Sequence, residues 1–278
     1  MTGDPKLRVG KIPYLNLLPI FRALETGFPV EYVRFVLGHP SELNRKLRAG
    51  ELDISPSSSI EYGKHPERYL LCPDVSISCR PKVMSVFLFS HRPVADLPGD
   101  PIAVSGRSDT SVILLEILLR EFLGKRNRLL RTFLPPEEAL RRHPAYLAIG
   151  DEAIRASLSG VADHVTDLGE WWNRETGTPF VFALWIVSRD SLQDRGKDLR
   201  RFARTLILAK KIARDKFMRE RNSIPGTEWV PRGFLSEYWR NLSYDLAGET
   251  EGLGTFFRLA EKIGRIPAAP SLRFLDLA

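Results

Sequence analysis

The sequence is poor in the residues that carry much enzyme chemistry. Its 278 residues include two cysteines, Cys72 and Cys79, too few for a disulfide scaffold. They are not spaced C-x-x-C and no histidine stands near them at metal-ligand spacing, so a zinc site has no signature. Free thiols in a reducing compartment are the expectation. The five histidines, His39, His65, His91, His143 and His164, are scattered and form no ligand pattern. There is no G-x-S-x-G elbow, no G-x-G-x-x-G after a strand, and no P-loop. A triad hydrolase, a nicotinamide enzyme and a P-loop NTPase therefore lack their marks. No run of about 18 apolar residues exists for a membrane span. The first residues show no long apolar stretch behind a basic start, so no signal peptide is expected. A cytoplasmic protein is the expectation. With 43% hydrophobic and 27% charged residues, the chain is not disordered, and its length suits two domains.

The net charge of +7 does not by itself indicate nucleic acid, because it is concentrated. Between Arg189 and Arg221 there are twelve basic and five acidic residues, and twelve minus five equals the whole imbalance. Leu199, Phe202, Ala203, Leu206, Ala209, Ala213 and Phe217 recur there at three- and four-residue steps, which predicts an amphipathic helix with its basic residues on the solvent face. No zinc-finger spacing or aromatic RNP-type motif accompanies them.

Strand-like runs alternate with helical ones. Strands are expected at Leu7–Lys11, Val30–Val36, Leu52–Ile54, Val83–Ser90, Pro101–Ser105, Tyr146–Ile149, Val165–Leu168 and Phe180–Val187. Helices are expected at Ile20–Glu25, Glu42–Ala49, Ile60–His65, Thr110–Phe122, Pro135–His143 and from Asp151, and Ser55–Ser59 reads as a polar loop. After Ser188 the pattern is almost wholly helical. The alternation implies an α/β fold with mostly parallel sheets. The long apolar strands near 83–90 and 180–187 bracket a middle block. The expected architecture has two lobes around a central cleft, lobe 1 from 1–90 plus 186–278 and lobe 2 from 91–185.

In such folds ligands sit at the C-terminal ends of strands, near helix N-termini. The informative residues are those at strand-to-helix junctions. Asn16 follows the first strand and offers both donors and an acceptor; a turn or helix cap would use it equally. Ser57-Ser58-Ser59 follows the Leu52–Ile54 strand, and a helix cap is again the alternative. Ser85 is a lone polar residue in an apolar strand, facing a cleft or satisfied locally. Ser108, Asp109, Thr110 and Ser111 open a long helix where backbone N–H groups and hydroxyls suit a carboxylate or phosphate. There too Ser108 or Asp109 serves equally as a plain cap. Gly150-Asp151 stands at another such junction, Asp151 being a cap or a cleft residue. Taken alone, these features describe a two-lobed binder of a small acidic molecule.

Six segments occur in an order that resembles one family. They are RVGKIPYLNLLPIF (8–21), DISPSSSIEY (53–62), PKVMSVFLFS (81–90), RSDTSVILLEILL (107–119), AIGDEAI (148–154) and DLGEWWNRETGTPFVFALWIV (167–187). Together they resemble the chorismate dehydratases of the futalosine route to menaquinone, over essentially the whole chain. A sister family that cleaves cyclic dehypoxanthine futalosine has a CPND-type helix start where this chain has SDTS. The resemblance implies a type II periplasmic-binding-protein-like fold. It also implies conversion of chorismate to 3-[(1-carboxyvinyl)oxy]benzoate and water by a carbon–oxygen lyase. No metal or organic cofactor, nucleic acid or membrane is implied; the partner is the small-molecule substrate, and the chain is a monomer or homodimer. The family's functional Asn and Ser fall on Asn16 and Ser85. Ser108, Thr110 and Ser111 correspond to the carboxylate-binding helix start, Ser58 to a position that carries a hydroxyl, and Gly150 and Asp151 complete the expected substrate site. Amides and hydroxyls are poor bases at neutral pH, so the proton acceptor expected from the chemistry of these residues is a substrate carboxylate, with Asp151 as a weaker candidate. One departure stands out: the family tends to have a Gly shortly before the functional Ser, and here Arg80-Pro81-Lys82 occupies that stretch. The other reading left open is a non-catalytic binder of a small aromatic or dicarboxylate ligand.

Overall fold

The computed structural model describes residues 6–97, 99–217 and 224–278, the last four residues of the second stretch by backbone only. The chain runs β1 (Leu7–Lys11), α1 (Leu18–Gly27), β2 (Val33–Leu37), α2 (Pro40–Arg48), β3 (Ile54–Ser58), α3 (Ser59–Lys64), β4 (Tyr69–Cys79) and β5 (Val86–Ser90). It continues with β6 (Ile102–Ser105), α4 (Thr110–Ile117, prolonged by a π-helical turn over Leu118–Phe122), β7 (Leu129–Thr132), α5 (Pro136–Arg142), β8 (Ala145–Ile149), α6 (Gly150–Ser159) and β9 (His164–Asp167). The last elements are α7 (Leu168–Thr176), β10 (Phe180–Ser188), α8 (Ser191–Phe217), α9 (Arg232–Asn241), β11 (Leu242–Ser243) and α10 (Thr250–Lys262).

These strands form two sheets, ordered β11-β4-β10-β3-β1-β2 and β7-β6-β8-β5-β9. Neither is mostly parallel, contrary to the expectation from alternation. The parallel pairs are β1–β2, β1–β3, β6–β7 and β6–β8. β10 runs antiparallel to β3 and β4, and β5 antiparallel to β8 and β9. Parallel neighbours are strands joined by local helical crossovers, whereas β5 and β10 arrive from the opposite sheet and insert in reverse.

The pairings also correct the expected lobe boundaries. Residues 86–90 belong to the second sheet and 180–185 to the first. The crossings therefore fall at 80–85 and before Phe180, rather than at 90 and 185. Both strands are apolar and buried throughout, so hydropathy does not reveal which core receives them. The segment after 186 is not confined to one lobe either. Leu235, Tyr238 and Leu242 pack with Phe87, Phe89 and Tyr146 of the second sheet and Ile154 of α6, while β11 extends the first.

Two further expectations change. Ser55–Ser58 is strand rather than loop, and every residue of β3 is buried. Beyond the single β1 contact at Val9↔Ile54, β3 is paired with β10 alone, which leaves one side where Pro56 costs no ladder bond. β4, unmarked in the sequence pattern, lines the same sheet. On α8, Leu199, Phe202, Ala203, Leu206, Ala209 and Ala213 are buried as the periodicity predicts, and Phe217 lies outside the described side chains, as do Arg214, Asp215 and Lys216. Met218 to Ser223, including Arg219, Glu220 and Arg221 of the basic segment, lie outside the described residues altogether. Lys210 departs from the solvent-face reading. It is buried and bound to Asp74 and Asp245, because α8 packs over β4 and the segment after β11. Among the described residues no helix is long and apolar enough to cross a membrane.

Candidate functional site

Four connections converge on one cleft between the sheets: β1 to α1, β3 to α3, β6 to α4 and β8 to α6. Each follows the C-terminal end of its strand. About 580 Å³ of space, open solvent at the mouth included, lies in and before the cleft. Asn16, Ser58, Ser85, Ser108, Thr110, Ser111 and Gly150 all line it. Ile12, Ile77, Val83, Val86, Ile149 and Phe182 supply apolar walls, and Tyr14 adds a phenol. Among the described residues no charged side chain lines it.

Hydroxyls and amides here are held by both sheets. Ser108 Oγ accepts the Ser111 N–H at 3.2 Å, which caps the start of α4. Thr110 Oγ1 accepts the Ile60 N–H at 3.2 Å, so α4 of one lobe also caps α3 of the other. Asn44, buried on α2, spans the same seam. Its Oδ1 accepts from Ser58 N at 3.2 Å and its Nδ2 donates to Asp109 Oδ2 at 2.9 Å. Asp109 is therefore a bridging residue rather than a cap, and Arg131 binds its other oxygen at 2.9 Å.

Ser85 follows a tight turn. Met84 has φ +55°, and the Asp167 carboxylate accepts N–H groups from Met84 at 2.7 Å and Val83 at 3.2 Å. Asp167 thus fixes the stretch after Arg80-Pro81-Lys82, where the family's Gly is absent. Burial raises its pKa, against the lowering effect of these N–H bonds. Ser85 Oγ donates to Val83 O at 3.3 Å and accepts from Tyr238 OH at 3.1 Å, and Ser85 O accepts the Gly150 N–H at 2.7 Å.

Asn16 presents an orphan. Its Oδ1 is buried without a hydrogen-bond partner, which is costly unless a ligand supplies a donor. Its backbone is fixed from the far end of the chain: Tyr244 OH donates to Asn16 O at 2.6 Å and Trp239 Nε1 to Leu15 O at 3.0 Å.

Asp151 is not brought into the cleft lining. Its Oδ1 turns to the Leu15 N–H at 3.0 Å, tying α6 to the turn after β1. Burial raises its pKa, with the Leu15 bond and Arg155 opposing. Burial likewise holds the Tyr14 phenol above its ordinary value, so it stays a neutral hydroxyl; it is paired with His39 Nδ1 at 3.0 Å. Gly150 has φ +66°, and a Cβ there would meet Tyr14 ring carbons at 2.8–3.0 Å.

Sequence reasoning missed Asn44, Tyr238, Trp239 and Tyr244 as parts of the site. Nothing in their local sequence marks them, because each acts over a long separation in the chain. Among the described residues no group of three His, Cys, Asp or Glu side chains is placed to hold a metal ion.

Residues 7–262 match the family model described as menaquinone biosynthesis. The chain is 33% identical over 194 residues to a chorismate dehydratase of Thermus thermophilus, covering 64% of this chain and 68% of that one. It is 29% identical over 189 residues to a 1,4-dihydroxy-6-naphtoate synthase of the same organism, covering 66% of each. Among solved structures, a Candida albicans protein with the generic periplasmic binding protein fold superposes with TM-score 0.67 at 13% identity, over 99% of this chain and 98% of that one.

Proposed function

We propose that this chain, which belongs to the menaquinone biosynthesis family, dehydrates chorismate to 3-[(1-carboxyvinyl)oxy]benzoate. The observation that carries the reading is the orphaned Asn16 Oδ1 in a cleft walled by hydroxyls and apolar side chains. Chorismate brings a ring hydroxyl that can donate to it, an apolar ring face and two carboxylates. The chorismate dehydratase of Thermus thermophilus is the relative at 33% identity.

The reaction is a loss of water that makes the ring aromatic. A proton leaves the ring carbon that bears the ether, and its electron pair forms the new double bond. The neighbouring C–O bond breaks with its own pair, and hydroxide leaves as water once protonated. Amides and hydroxyls are poor bases near neutrality, and among the described residues no carboxylate or imidazole lines the cleft. The proton therefore passes to a carboxylate of the substrate, held close by the site. Asn16 accepts from the ring hydroxyl, and Ser85 donates to it as charge develops on the departing oxygen. The first turn of α4, with the hydroxyls of Ser108, Thr110 and Ser111, holds a carboxylate by N–H and O–H donors. Ser58 and the start of α6 at Gly150 close the other side. The protein's share of the work is orientation and hydrogen bonding.

Purified protein incubated with chorismate should yield an aromatic product one water lighter, read by absorbance and mass. Asn16→Ala and Ser85→Ala should each lower turnover by about tenfold or more. Chorismate recovered unchanged from a tight complex sinks the dehydratase reading in favour of a binder. Turnover abolished by Asp151→Asn alone, with the other two intact, sinks the assignment of roles.

A further inference from the structure

We infer that Tyr238 is a positioning residue that aims the Ser85 hydroxyl into the cleft; the inference rests on the dehydratase reading above. Three aromatic side chains of α9 and the residues following it reach the site. Trp239 and Tyr244 donate to backbone carbonyls, of Leu15 and Asn16, and so hold a turn. Tyr238 differs: its phenol donates to a side-chain oxygen, Ser85 Oγ at 3.1 Å, and that serine lines the cleft. Tyr238 is 1% exposed, and burial holds its phenol well above the ordinary value, with the Ser85 bond opposing. It is therefore a neutral donor held in the core.

A hydroxyl that accepts on one side must send its own proton elsewhere. For Ser85 the available internal acceptor is Val83 O at 3.3 Å, a long bond for O–H to oxygen. A substrate oxygen in the cleft competes easily for that proton. Donation from Tyr238 also polarises the Ser85 O–H and strengthens it as a donor. Tyr238 sits in the cluster formed with the second sheet, packed with Phe87, Phe89 and Tyr146. The serine's lone pair is thus blocked by a group anchored in the core rather than by a mobile loop.

The test is Tyr238→Phe, which keeps the ring and deletes the hydroxyl, studied with Ser85→Ala and the double variant. With chorismate, Tyr238→Phe should lower kcat about five- to tenfold and leave KM within twofold. The double variant should be no slower than Ser85→Ala alone, since the phenol acts only through that serine. Independently of activity, a protected phenolic proton resonance, assigned by its loss in Tyr238→Phe, should shift in Ser85→Ala. Tyr238→Phe with parental kcat, or losses that multiply in the double variant, overturns the inference. A resonance indifferent to Ser85→Ala overturns it too. Failure of the unmodified protein to convert chorismate is a separate result. It refutes the dehydratase reading, and the positioning role falls with it even where the resonance shift shows the hydrogen bond intact.

Discussion

Helix α6 starts on Gly150 and is followed by Gly160 at its C-cap, both at positive φ but in different surroundings, which makes a paired experiment. Gly150 has φ +66° and Gly160 φ +69°. In each, alanine must adopt a left-handed conformation that costs roughly 1–2 kcal/mol. At Gly160 a Cβ meets nothing within 4 Å, so Gly160→Ala should cost only that amount. At Gly150 the new Cβ falls 2.8, 2.9 and 3.0 Å from Tyr14 ring atoms. The ring must retreat by several tenths of an ångström, adding roughly 1–3 kcal/mol of overpacking. For a chain of this size each kcal/mol lowers Tm by about 2–4 °C. Gly160→Ala should therefore melt about 2–8 °C low, and Gly150→Ala several degrees lower still. Tyr14 lines the cleft, so Gly150→Ala alone should raise KM for chorismate. Thermal melts and steady-state kinetics on the two variants decide the matter. Equal melting points together with an unchanged KM would refute the claim that Gly150 is required for the approach of Tyr14.

Two other expectations can be checked by denaturation. Burial would raise the pKa of Asp53, but the side-chain and backbone N–H groups of Arg8, with Ser191, outweigh it and hold the carboxyl below its usual range. Its contribution is present above the unfolded value of about 3.9 and is lost as pH falls through the folded one. Asp53→Asn should cost about 2–4 kcal/mol at pH 7 and flatten the fall in urea midpoint below about pH 4; an unchanged acid limb refutes this. At the seam between lobes, Thr110→Val should strand the buried Ile60 N–H, costing about 1–3 kcal/mol, while Thr110→Ser keeps the acceptor. Matching denaturation midpoints and matching KM values for these two variants would show that the bond contributes nothing.

The local pattern was enough for much of the architecture. Alternating strand and helix periods placed β1, β6, β8 and β10 to within a residue or two, and those junctions carry Asn16, Ser108–Ser111 and Gly150. They are legible because a strand that ends in a polar turn before a helix writes its chemistry in consecutive residues. The Ser-Pro-Ser-Ser run of β3 was not legible. Its composition favours a loop, and only its place in the sheet beside β10 makes it a buried strand.

What the sequence by itself determined was the two-lobed class, the amphipathic core face of α8 and which hydroxyls stand at helix starts. These follow from periods of two and 3.6 residues and from junction chemistry, which act over short stretches. What only the tertiary structure decided was the side to which each group turns. Asp151 sends its carboxylate to Leu15 rather than into the cleft, Lys210 leaves the solvent face for Asp74 and Asp245, and Tyr238 reaches Ser85 across 153 positions of chain. Such pairings depend on how the two sheets pack with α6, α8 and α9, and no local propensity encodes them, because the energy that selects them exists only once the distant partner is in place.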